Sequence, residues 1–136
     1  VFVENCRMNS PNLDRAIRIK TNSRRGGIVD GVYVRDIEIG QVKEAVLKVN
    51  MFYATYNNQT GDFIPTVQNI VLENIRVKNG GYYGILAKGY KESPIKNITL
   101  NNVIIEQVDK PFSLEYVDNL RLIDTYINGA LMQSPQ

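Results

Sequence analysis

Arg18-Ile19-Lys20 places two cations two positions apart around one apolar residue. On a β-strand, residues two apart share a face and lie about 6.6 Å from each other. Both charges can then reach one anionic ligand. The guanidinium offers a planar fork that matches a carboxylate, and the lysine adds a mobile point charge. Outward strand positions are polar by default, so the pattern alone fits a solvated face equally well. Arg24 and Arg25 follow in the turn before Gly26-Gly27. They suit extra contacts to an acidic ligand or plain turn charges. The glycines suit a turn closed to other residues.

Other chemistry is narrowly limited. The chain has no histidine and one cysteine, Cys6. Ser-His-Asp and Cys-His catalysis, His-based zinc sites and an internal disulfide are therefore excluded within these residues. Carboxylates, lysines, tyrosines and one thiol remain. Asp14, four residues before Arg18, is the nearest carboxylate; Asp30, Asp36 and Asp62 are further candidates. Asp14 in LDRAI reads as a turn residue or an arginine partner. The net charge of +2 over 136 residues does not favour nucleic acid. No apolar run approaches a membrane span, and no metal or cofactor site is expected.

The elements that must position these residues are repeats. VDGVYVRDIEI from Val29, VQNIVLENIRV from Val67, IKNITLNNVII from Ile95 and VDNLRLIDTYI from Val117 share one frame. With the first residue as zero, offsets 3, 5 and 10 are always apolar. Offset 7 is Asp36, Asn74, Asn102 or Asp124. The opening VFVENCRM fits the same frame, with Asn5 at offset 7 and Cys6 at offset 8, which predicts a buried thiol. A second alternating segment follows each repeat: RAIRIK, AVLKV, GILA and PFSLEY, with Leu114 and Tyr116 expected to point inward in the last. Alternation of period 2 means strands. Short strands with one apolar face must stack to build a core. The recurring Asn or Asp suits a corner, because it tolerates left-handed dihedrals and can ladder with its copies. The expected fold is all-β: a right-handed parallel β-helix of about four to five coils, spanning residues 1–136 as one segment. An antiparallel sandwich explains the corner and the repeat spacing less well. Asn50 to Thr66 reads as a long excursion, and Lys88 to Pro94 as a shorter one. Asn58-Gln59-Thr60 fits a glycosylation acceptor. Opening mid-strand without a cap, the sequence leads to the expectation of truncation at the N-terminal end, the missing neighbour being an upstream segment or a second copy stacked end to end.

Arg18-Ile19-Lys20-Thr21, a glycine-bearing turn and V-x-G-V-x-V-x-D-I-x-I together resemble the C-terminal part of a polygalacturonase of glycoside hydrolase family 28. The resemblance implies that Arg18 and Lys20 bind a galacturonate carboxylate and that Tyr53, four residues beyond Val49, stands beside them. Tyr56, Tyr82 and Tyr83 are weaker candidates for sugar contact. The family's Asn-Thr-Asp, Asp-Asp and Gly-His-Gly motifs are absent here. Inversion needs an acid and a base carboxylate about 6.5–9.5 Å apart, so the resemblance implies a substrate grip with no catalytic residue in this chain. The function it implies is part of a pectin-degrading, inverting hydrolase of larger size, acting on galacturonan outside the cell or in the periplasm without a cofactor. The alternative is a non-catalytic carbohydrate-binding or structural β-helix module. A lyase on the same fold would call for an acidic calcium cluster, which the sequence lacks.

Overall fold

The computed structural model describes residues 2–8, 12–21, 27–51 and 64–134. Among them no α-helix occurs. The strands are β1 (Phe2–Met8), β2 (Arg15–Lys20), β3 (Ile28–Gln41), β4 (Ala45–Asn50), β5 (Thr66–Asn79), β6 (Gly81–Lys88), β7 (Ile95–Ile105), β8 (Val108–Glu115), β9 (Val117–Ile123), β10 (Tyr126–Ile127) and β11 (Ala130–Leu131). The chain alternates between two sheets. One has the order β1-β3-β5-β7, continued by β9 and β10 on β7, and the other is β2-β4-β6-β8. Every pairing is parallel except β10 with β11. Each strand thus lies on the strand of the previous repeat, as in a parallel β-helix, and the antiparallel sandwich is ruled out.

The shared frame becomes columns of like side chains. Val34, Leu72, Leu100 and Leu122 stack at offset 5, and Ile39, Val77 and Ile105 at offset 10, all buried. Cys6, Ile37, Ile75 and Val103 form the offset-8 column. Stacking is needed because a strand with one apolar face has nothing of its own to cover it.

The expected corner is present. Asn5, Asp36, Asn74, Asn102 and Asp124 all have positive φ, between 45° and 57°. Their side chains ladder: the Asn74 amide donates to Asp36 Oδ1 at 2.6 Å, and Asn102 donates to Asn74 Oδ1 at 3.3 Å. A second corner, unread in the sequence, lies at offset 2. Gly31, Asn69, Asn97 and Asn119 take φ of 82°, 60°, 61° and 63° there. Asn69 donates to Asp30, Asn97 to Asn69, and Asn119 to Asn97, at 2.8, 3.1 and 2.8 Å. Left-handed φ is unfavourable for most residues and tolerated by asparagine and glycine, which explains both columns.

Three expectations need correction. Cys6 is half-buried, because β1 ends its sheet and has a strand on one side only. Its thiol donates to the Glu4 carbonyl at 3.3 Å. Leu114 and Tyr116 are 38% and 48% exposed rather than buried. β8 likewise ends its sheet, and Tyr116 turns at φ 54°. The Lys88–Pro94 segment is partly folded back: Gly89 and Tyr90 are buried, and the Ser93 hydroxyl donates to the Pro65 carbonyl at 2.9 Å.

Candidate functional site

The sheet β2-β4-β6-β8 carries the candidate site on its outer face. Ile17 and Ile19 pack against the core, so Arg18 and Lys20, both exposed, project outward. In β4, Leu47 and Val49 are 0% and 1% exposed, which sends Lys48 and Asn50 outward. Register then brings residues from distant repeats side by side. Arg18 stands next to Lys48 and Lys20 next to Asn50. Beyond them Lys48 neighbours Leu86, and Asn50 neighbours Lys88. Leu86 adjoins Ser113, and Lys88 adjoins Glu115. Positive charge is therefore concentrated at the β2–β4 end and declines toward β8.

One carboxylate organises this end. Glu44, just before β4, accepts from Arg15 through two nitrogens, Nε at 3.3 Å and a terminal nitrogen at 2.9 Å. Its other contact is the Lys48 ammonium, four residues along the chain. The side chains of Arg15, Lys48 and Glu44 are 22%, 18% and 29% exposed. Burial pushes the Glu44 carboxyl up, but the hydrogen bonds from Lys48 and Arg15 outweigh it, and its pKa is lowered on balance. A general acid needs the opposite shift. Glu44 is thus a fixed anion that holds two cations in place.

Arg18 and Lys20 are brought together as the spacing required. Tyr53 and the side candidates Arg24, Arg25, Tyr56 and Asp62, like Asn58-Gln59-Thr60, lie outside the described residues. Asp14 lies in the bend before β2, where its backbone carbonyl accepts from the Glu44 and Ala45 amides, and Arg15 pairs with Glu44. Asp36 is a corner residue. Asp30 accepts from Gln68 at 2.9 Å and Asn69 at 2.8 Å, and these bonds, Asn69 first, hold its pKa below the ordinary value. Among the described residues no group of three or more Cys, Asp or Glu side chains could hold a metal ion. Sequence reasoning missed Glu44 and Lys48. Their spacing of four and the outward parity of Lys48 were visible, but not that Arg15 and Arg18 would be their neighbours.

Two parallel sheets fed alternately by one repeating chain, with cations on one outer face, define a parallel β-helix. The model of glycosyl hydrolases family 28 matches residues 1–123, and the chain belongs to that family. No curated protein matches it. A solved structure that it resembles is a hyperthermoactive exopolygalacturonase from Thermotoga maritima, with a TM-score of 0.80 and 28% identity. The match covers 97% of this chain and 28% of that one, so the chain spans little more than a quarter of its length.

Proposed function

We propose that this chain supplies the substrate grip of a polygalacturonase-like, inverting hydrolase that acts on the galacturonan of pectin. Arg18 forks one galacturonate carboxylate, Lys20 adds charge from two residues along the strand, and Tyr53 offers a hydroxyl and a ring face beside them. The observation that carries the reading is the shared outward face of Arg18 and Lys20 in a chain of family 28. The fold in full is a right-handed β-helix of four to five coils, the C-terminal portion of a larger catalytic domain. The acid and base carboxylates come from further coils stacked on β1 and β2. The coverage of only 28% of the exopolygalacturonase supports this, as do the missing catalytic motifs. Those coils belong to the same protein or are replaced by end-to-end self-association, and the enzyme works outside the cell or in the periplasm.

The test is titration calorimetry with oligogalacturonate and with neutral galactan. Binding of the acidic oligomer, weakened roughly tenfold by Arg18→Ala or Lys20→Ala, is expected. Preference for galactan, indifferent to both substitutions, would overturn the carboxylate grip. The chain alone should release no reducing ends from pectate; turnover would show that its own carboxylates suffice.

A further inference from the structure

We infer that Lys48, anchored by Glu44, is a second anion-binding position that makes the site read two consecutive acidic sugars. The inference rests on the carboxylate grip proposed for Arg18.

Arg18 and Lys48 are register neighbours on adjacent strands, so their backbones are about 4.8 Å apart across the sheet. Lys20 lies about 6.6 Å from Arg18 along its strand. The three cations therefore form a triangle on one face. A guanidinium fork alone can satisfy both oxygens of a carboxylate, so three cations exceed what one singly charged sugar requires. A second acidic residue of the same polymer accounts for the excess.

Lys48 is suited to that role by its surroundings. Its side chain is only 18% exposed and its ammonium is tied to Glu44, so the rotamer entropy of a lysine is largely lost before a ligand arrives. Glu44 does not cancel it. Arg15 binds the same carboxylate through two nitrogens, and the group of three keeps one positive charge. An ammonium has three donors; Glu44 takes one, and two remain for an incoming oxygen. In the row of Arg18 and Lys48 the charge ends at this strand, the next positions being Leu86 and Ser113, whereas the parallel row runs from Lys20 through Asn50 to Lys88.

The test compares galacturonic acid, fully acidic trigalacturonate and a trigalacturonate with one unesterified carboxylate, by titration calorimetry on the full chain. Lys48→Met, which keeps the apolar stem, should weaken the fully acidic trimer roughly tenfold and leave the monomer unchanged. Wild-type protein should favour the fully acidic trimer over the singly charged one by a similar factor. That comparison needs no variant and stands if Lys48→Met fails to fold. Equal loss for monomer and trimer would place Lys48 on the first carboxylate and overturn the two-sugar arrangement, as would no loss for either. Arg18→Ala separates the two levels. If it weakens monomer and trimer while Lys48→Met weakens neither, the second position alone fails. If Arg18→Ala also changes nothing, the grip itself fails.

Discussion

Replacing Ile75 by alanine removes three carbons from the centre of the offset-8 column. Ile75 is 0% exposed and lies between Ile37 at 1% and Val103 at 0%. At about 0.8 kcal/mol per buried methylene, the transfer loss is roughly 2.4 kcal/mol. A residual void of about 60 Å³ adds roughly 1.5 kcal/mol at about 24 cal/mol per Å³. The neighbours cannot close that void, because the ladders fix adjacent strands about 4.8 Å apart. The expected cost is thus about 4 kcal/mol, or a fall in Tm of about 10–15 °C for a chain of this size. Cys6→Ala, at the uncovered end of the same column, should cost less than about 1 kcal/mol, since its side chain is half-buried and smaller. Urea unfolding followed by circular dichroism gives both values. If Ile75→Ala costs no more than Cys6→Ala, the offset-8 residues do not form a packed column.

Asn74→Ala should destabilise by about 2–3 kcal/mol, because alanine resists φ of 55° and two ladder contacts vanish. Asn74→Gly should cost about half as much, and equal losses would assign the whole effect to the ladder. Glu44 predicts a pH dependence. Its folded pKa lies below the ordinary 4.5, so its stabilisation is present above that pH and lost as pH falls through the folded value. The gap in urea midpoint between wild type and Glu44→Gln should be widest near pH 7 and shrink below about pH 4.5. A gap independent of pH would remove Glu44 from the charge network.

Strand alternation, the inward columns and the offset-7 corner were legible in the sequence, because each depends on a backbone rule acting within a few residues. A period of two sets which side chains point inward, and Asn or Asp at a fixed offset marks where the chain takes left-handed dihedrals. The same rule placed Arg18 and Lys20 on one face. The second corner was concealed because glycine stands at Gly31 where the other repeats have asparagine. Only the fold decided what lies across the repeats. Repeat starts are unevenly spaced, 29, 67, 95 and 117 along the chain, so no fixed interval gives the neighbour on the next strand. Register alone set Lys48 beside Arg18, and Arg15 against Glu44 from 29 residues away. Sheet order also decided that Cys6 and Leu114 stay partly in solvent, since their strands end the sheets and an inward residue is buried only when the next strand covers it. The sequence by itself determined which residues face outward from the sheets. The tertiary structure determined which of them stand together, because that depends on loop lengths and strand register.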